Sequence, residues 1–262
     1  PPPSHEPPPA PPPPPSPPCL TRTADLVVMD FDNAVLLHSN LGGLGGQGPP
    51  TSDTPHTIYL SGVATMFDGT IIDLEAANAT EYLAYNTDNN GMKRTGDEDL
   101  GLLAGDAQQG SFGVINQLAP QFEPWNRSEV RIRFTFINAA TGEPVVLPRT
   151  HMTFFDFDTA RARYPGELRG RECLDVFDVD EVTVAPTTEL VQISDSPTEY
   201  CASVPGRGSD NPLDEMLLTP EEASKAIMLT LVGRSSFEVI FAIDTCCSTG
   251  RNFLFAGYTN LI

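Results

Sequence analysis

Proline clustering constrains this chain more than any other feature. Thirteen of its 26 prolines fall within the first 18 residues, PPPSHEPPPAPPPPPSPP. Each pyrrolidine ring fixes φ and removes a backbone N–H, so this tract can enter neither a helix nor a sheet ladder. Its expected form is an extended polyproline II rod rising about 3.1 Å per residue. The rod is built by Pro1, Pro2, Pro3, Pro7, Pro8, Pro9, Pro11, Pro12, Pro13, Pro14, Pro15, Pro17 and Pro18. Such an arm either remains a loose linker or packs along its own domain or a neighbouring chain. The boundary falls near Cys19, dividing a 1–18 arm from a 19–262 domain.

From Ala24 onward the signals are those of strands. Val130, Ile132, Phe134 and Phe136 alternate with Arg131, Arg133 and Thr135, the period of a half-buried strand. Thr141-Gly142-Glu143-Pro144 then turns the chain into Val145–Leu147. Leu26-Val27-Val28-Met29 opens another apolar run. Further strands are expected at 57–64, 70–76, 80–85, 111–116, 151–157, 173–177, 181–185, 189–193, 226–232, 236–243 and 252–258. Short strands punctuated by Gly, Pro, Asn and Asp predict an all-β chain, an antiparallel β-sandwich or jelly roll. One short helix is expected, with Thr219 as N-cap, Pro220 at its first position, Glu222 closing a capping box, and an end near Lys225. Residues 42–55 and 93–110 read as surface loops, the second as an insertion.

Fifteen Lys+Arg against 35 Asp+Glu leave a formal charge of −20. Phosphate recognition needs clustered Lys and Arg, so nucleic acid is not an expected partner. A hydrated or cation-binding exterior suits this balance. No apolar run reaches the roughly 20 residues that span a bilayer. The chain opens on Pro1 without a signal pattern, as expected of a mature or trimmed product.

The five cysteines, Cys19, Cys173, Cys201, Cys246 and Cys247, form no C-x-x-C pattern. An oxidising compartment is the favoured setting, with free thiols in a cytosolic chain as the alternative. The expected pairing closes Cys173 onto Cys201 and staples Cys19 to the 246–247 pair, although spacing alone leaves connectivity open. Asn78-Ala79-Thr80 and Asn126-Arg127-Ser128 are N-glycosylation acceptors. With twelve Asn such triplets also arise by chance, so they permit covalent glycans without requiring them.

Several blocks together resemble a β-sandwich module of extracellular and cell-surface proteins of algae and other protists. They are His38-Ser39-Asn40-Leu41-Gly42-Gly43-Leu44-Gly45, Phe67-Asp68-Gly69 with Ile72-Asp73-Leu74, and Gly110-Ser111-Phe112-Gly113-Val114-Ile115-Asn116. They continue through Gly142-Glu143-Pro144-Val145, Phe154-Phe155-Asp156-Phe157-Asp158, Asp210-Asn211-Pro212 with Leu218-Thr219, and Gly250-Arg251-Asn252-Phe253-Leu254-Phe255-Ala256-Gly257. The resemblance spans most of 24–262 and implies a fold and a surface setting, but no catalytic residue. The 93–110 insertion and the cysteines depart from that pattern. The Ser-Pro and poly-Pro runs resemble hydroxyproline-rich glycoproteins of algal and plant walls. That implies hydroxylated prolines and glycans, with Ser4 and Ser16 as further acceptors.

Asp-x-Asp recurs at Asp30/Asp32, Asp156/Asp158 and Asp178/Asp180. On a strand, residues i and i+2 share a face, so each pair projects two carboxylates together. Such a pair needs solvent or a cation, and Ca2+, which takes six to eight oxygens, is the expected ion. Asp156 and Asp158, set among Phe154, Phe155 and Phe157, are the leading metal candidates; the alternative is a polar face backed by core aromatics. Residues 86–97 approach an EF-hand loop, yet end on Asp97, carry Lys93 at an apolar position and lack helical flanks, so a turn-rich loop is expected. There is no G-x-S-x-G and no H-E-x-x-H, the four His are scattered, and the Gly42–Gly48 run lacks a following Lys-Ser/Thr. An enzyme is not expected. Trp125, the sole Trp, is a candidate sugar platform.

The expectation is therefore a structural subunit of an extracellular fibre, surface hair or wall layer, its copies joined head-to-tail by the arm. The alternative is a secreted, Ca2+-dependent, lectin-like module.

Overall fold

The computed structural model describes residues 25–48, 53–93, 112–120, 127–161, 169–206, 211–244 and 249–261. The arm with Ser4 and Ser16, together with Cys19, Trp125, Asn126, Cys246 and Cys247, lies outside the described residues.

The strands, in chain order, are β1 (Leu26–Val27), β2 (Val35–Ser39), β3 (Thr57–Thr65), β4 (Ile71–Asn78), β5 (Gly91–Lys93), β6 (Phe112–Leu118) and β7 (Arg127–Asn138). They continue with β8 (Leu147–Phe155), β9 (Glu172–Phe177), β10 (Glu181–Val184), β11 (Leu190–Ile193), β12 (Ser196–Ala202), β13 (Ile227–Arg234), β14 (Ser236–Asp244) and β15 (Gly250–Ala256). One sheet runs β10-β13-β8-β15-β6-β5, and the other β11-β12-β9-β14-β7-β4-β3-β2. The ladders are antiparallel apart from β1, which lies parallel to β8 at Leu26↔Arg149 and shares that edge with β15. From β6 onward the chain changes sheet at almost every strand. Consequently β14 fits between β9 and β7, and β15 between β8 and β6. This is an antiparallel β-sandwich.

Its core follows from the alternation in β7. Val130, Ile132, Phe134 and Phe136 are buried, while Arg131 and Arg133 meet Glu238 of β14 on the outer face. Phe134 stacks on Phe237 of its own sheet at 5.1 Å and meets Phe154 and Phe255 of the facing sheet edge-on at 5.9 and 5.1 Å. Phe241 and Phe253 stack across the two sheets at 4.4 Å. Each fully buried ring stabilises the fold by about 1.5–3 kcal/mol, and the ring pairs add to that. Gly113 is required by this packing, because a Cβ there would lie 2.2 Å from the Phe255 ring.

Helix α1 (Pro220–Ser224) has the expected architecture. Thr219 Oγ1 accepts from Glu222 N, Glu222 Oε2 accepts from Thr219 N at 2.6 Å, and Lys225 closes the helix. Among the described residues no helix is long and apolar enough to cross a membrane.

The structure corrects the expected strand map in places. Residues 80–85 pair with no strand, because the chain is crossing there from β4 in one sheet to β5 in the other. Tyr82 is buried and anchors the crossing by donating to Asn90 Oδ1 at 3.0 Å and to Asn116 O. β8 stops at Phe155 because Asp156 adopts a left-handed φ of 63° and turns the chain out of the ladder. β2, β5 and β12 were not expected as strands. β12 tolerates Pro197 because it lies at the strand's start, where a missing N–H costs no central ladder bond.

Candidate functional site: a polar cleft at one end of the sandwich

At the end of the sandwich where β8 and β14 finish and β7, β9 and β15 begin, the connecting segments enclose a cleft of about 490 Å3. Its walls carry Asp156, Asp158, Thr159, Arg161, Asn211 and Asn252 above Glu172 and Arg251.

Arg251 organises the floor. Its Nη1 donates to Asp158 Oδ1 at 3.1 Å, its Nε forms an ion pair with Glu172 Oε1 at 3.3 Å, and its Nη2 donates to Gly170 O at 3.4 Å. Glu172, only 3% exposed, also accepts from Asp158 N at 3.2 Å. Burial first, and the Asp158 charge second, hold the Glu172 carboxyl well above the ordinary glutamate range, while Arg251 acts in the opposite direction.

Asp156 reaches the rim through its left-handed backbone. With the Asn211 amide oriented to satisfy it, Nδ2 donates to both Asp156 carboxylate oxygens at 3.3 Å. Gly206 lies against Asp158, and a Cβ there would sit 1.7 Å from Asp158 Oδ2. Only glycine allows the 203–206 segment to approach so closely, a position secured by Thr159 N donating to Val204 O at 2.8 Å.

Asn252 is held from behind by a line of amides. Asn90 Oδ1 accepts from Asn116 N at 2.7 Å, and Asn116 Nδ2 donates to Asn252 Oδ1 at 2.7 Å. Asn116 Oδ1 in turn accepts from Tyr85 N and Asn86 N at 3.0 and 2.7 Å. Tyr85, 53% exposed, abuts Gly250 beside the cleft. These contacts also define residues 86–90 as an inward-directed turn leading into β5, since Asn90 is fully buried and its side-chain Oδ1 is committed to Tyr82 and Asn116. Beside the cleft, Asp244 accepts from Arg171 Nε at 2.8 Å, and Arg127 pairs with Asp244, Glu129 and Glu199.

The structure thus brings Asp156 and Asp158 to one cleft, but not as the two like-facing carboxylates of a strand. A guanidinium sits beside Asp158 where a cation would otherwise lie. Asp178 also has a left-handed φ, of 52°, and Asp180 Oδ2 accepts from Val232 N and Arg234 Nε at 2.8 and 3.2 Å. Asp30 and Asp32 lie elsewhere. Cys173 and Cys201 are joined across β9 and β12 by a disulfide with a Cα–Cα distance of 4.0 Å. Asn78 is half-buried, and its amide donates to Thr80 O at 2.8 Å. His38 and His151 each bond a threonine hydroxyl, at 2.9 and 3.1 Å, and burial lowers the pKa of both. Sequence reasoning missed Glu172, Arg251, Asn211, Asn252 and Tyr85 as one group. Arg251-Asn252 and Asn211 do fall within the blocks that carry the resemblance.

No family model matches this sequence, and no curated protein matches it. Solved structures align with this chain at low identity. Glucan binding protein C of Streptococcus mutans, described as mediating sucrose-independent and -dependent adherence, aligns with a TM-score of 0.51 at 11% identity, over 91% of this chain and 78% of that one. The adhesin domain of PrgB from Enterococcus faecalis, solved bound to DNA, aligns at 0.47 and 12% identity over 87% of this chain and 72% of its own. The N-terminal domain of the Streptococcus gordonii adhesin Sgo0707 aligns at 0.47 and 12% over 89% of this chain and 64% of its own, so this chain spans less than two thirds of it. The likeness to glucan binding protein C is one of fold alone.

Proposed function

We propose that the chain is a non-catalytic extracellular binding module whose end cleft takes a neutral, polyhydroxylated ligand, a glycan. The carrying observation is the cleft itself, whose rim offers carboxylate, amide and hydroxyl groups backed by fixed partners. Sugar hydroxyls both donate and accept, so they match acceptors such as Asp156 and donors such as Asn252. Asn116 already takes the Asn252 carbonyl, which leaves its NH2 end for a ligand. Tyr85 supplies an exposed ring at the margin for an apolar sugar face. The −20 charge and the cleft carboxylates favour such a ligand over a polyanion. The Cys173–Cys201 disulfide suits an oxidising, extracellular setting. Glu172 and Arg251 serve as floor, since both are engaged beneath the rim.

The test is binding to an array of glycans that includes soluble glucans, followed by titration of each hit. The expected result is a hit whose affinity falls about tenfold or more on Asn252→Ala or Asp156→Asn, as loss of one polar partner covered by the bound ligand implies. No hit, or hits indifferent to both substitutions, would overturn the proposal.

The arm supports a second reading, in which copies of the chain assemble head-to-tail through residues 1–18. Pre-extended proline loses little entropy on docking. Deleting Pro1–Pro18 is expected to leave a folded chain that no longer polymerises. Polymers that survive the deletion, seen by electron microscopy, would refute it.

A further inference from the structure

A second acidic group lies apart from the cleft residues. A carboxylate oxygen from each of Asp30, Asp32 and Glu215 lies within 4.8 Å of the others. Asp30 and Asp32 follow β1, on a turn pinned into the core by the fully buried Phe31, whose ring meets Phe255 edge-on at 5.9 Å. Glu215 comes from the segment preceding α1. There Asp214 Oδ1 accepts from Met216 N and Leu217 N at 2.8 and 3.1 Å. That turn leaves Met216 and Leu217 exposed and Glu215 inside.

Glu215 sets this group apart from ordinary surface acids. It is 4% exposed, and its Oε2 is buried with no hydrogen-bond partner. A buried carboxylate oxygen without a partner is costly, and more so when charged. Burial, followed by the charges of Asp32, Asp214 and Asp30, pushes the Glu215 carboxyl up to about 7. Two exposed carboxylates and one buried one therefore converge, and Glu215 Oε2 lacks a hydrogen-bond partner although the residue's own backbone N–H faces its carboxylate.

We propose that Asp30, Asp32 and Glu215 form a Ca2+ site that ties the β1–β2 turn to the 211–219 segment. The spread of the oxygens matches a shell of Ca2+–O distances of about 2.3–2.6 Å, in which opposed ligands lie about 5 Å apart. Mg2+ demands a tighter octahedron. Asp30 keeps lone pairs for the ion although Oδ1 accepts from Asp32 N at 3.0 Å and Oδ2 from Asn33 Nδ2 at 2.7 Å, because each carboxylate oxygen can accept twice. Exposed Asp30 and Asp32 leave room for waters to complete the shell. The 211–219 segment begins at Asn211, which contacts Asp156, so the ion would also steady one wall of the cleft. The site itself does not depend on the glycan reading.

The test is isothermal titration of CaCl2 into the full chain at physiological salt, with MgCl2 as comparison and thermal melts in parallel. One saturable Ca2+ site with a dissociation constant of about 10−4–10−3 M is expected, the range of extracellular Ca2+ modules. Asp32→Asn is exposed and should fold normally, and Glu215→Gln preserves the shape of the buried group. Each is expected to weaken Ca2+ about tenfold or more, since even outer-shell losses cost that much, and to abolish the Ca2+-induced rise in Tm. Glu143→Gln, on the 138–144 turn and outside the proposed ligand set, should change nothing. Absence of a saturable site in the wild-type chain, or wild-type affinity in both folded variants, would overturn the assignment. A glycan result of either sign leaves this outcome unaffected.

Discussion

Replacing Arg251 with Met tests the electrostatic design of the cleft floor. The methionine fills much of the arginine stem's volume but removes the guanidinium that pairs with Asp158 at 3.1 Å and Glu172 at 3.3 Å. The Arg251 side chain is 20% exposed, and those of Asp158 and Glu172 are 13% and 4% exposed, so solvent does little to replace the lost charge. Removing one partner of a buried ion pair costs about 3–5 kcal/mol, because the remaining charge is left without compensation. The residual exposure of Arg251 places the expected loss at the lower end, about 3 kcal/mol at pH 7, or a fall in Tm of about 6–12 °C for a domain of this size. The loss should depend on pH. Glu172 already has a raised pKa in the folded state, so its contribution to stability is full below the unfolded value and declines as pH rises through the folded one. Without Arg251 that rise becomes larger, so the variant should approach wild type in acid and diverge from it as pH increases. Urea denaturation of both proteins at pH 5 and pH 8 measures this directly. Adding Glu172→Gln to the variant should recover part of the loss at pH 8. A loss below about 1 kcal/mol at pH 8, or an equal loss at both pH values, would refute the account of a buried acidic pair held by one guanidinium.

Two further outcomes follow from the core. Phe134→Ala removes the ring shared by Phe154, Phe237 and Phe255, and is expected to destabilise the fold by about 3–5 kcal/mol in urea. A loss under about 1 kcal/mol would mean the two sheets do not meet there. Cys173→Ala with Cys201→Ala opens a link spanning 28 positions, which chain-entropy reasoning values at about 3–4 kcal/mol. Equal urea midpoints for this variant and the oxidised parent would show that the bond contributes nothing.

The sequence made the sandwich legible where one physical signal dominated locally. Alternation in 130–136 identified β7, and Thr219-Pro220-x-Glu222 identified the helix through its cap, since both patterns are set by neighbours within a few residues. The 80–85 segment misled because Tyr82 is buried while Leu83 and Tyr85 are exposed, mimicking a strand without a partner. The Asp156/Asp158 pair was visible as chemistry but not as geometry. A strand would have aimed both carboxylates together, whereas the φ of Asp156 breaks the strand after Phe155. The cleft as a whole stayed hidden for another reason. Asp158 meets an arginine 93 positions away, and Glu172 and Asn211 arrive from separate connections. No period or spacing links residues that only the sheet crossing brings together. Glu215 was equally silent, because one buried acid among 35 Asp and Glu carries no mark in sequence.

The placement of β14 and β15 bears on how the molecule comes to exist. Each lies in the interior of its sheet, and each follows in sequence both of the strands it separates. Until they are present, β8 and β6 have no strand between them, and neither do β9 and β7. Their apolar faces, including Phe134 and Phe154, then lack the rings of Phe237, Phe241, Phe253 and Phe255. A chain lacking β14 and β15 is therefore four partial sheets with open edges, a species prone to mispairing. Assembly is dominated by contacts distant in sequence, which favours slow folding. β14 and β15, which follow in sequence every strand they separate, lock both layers.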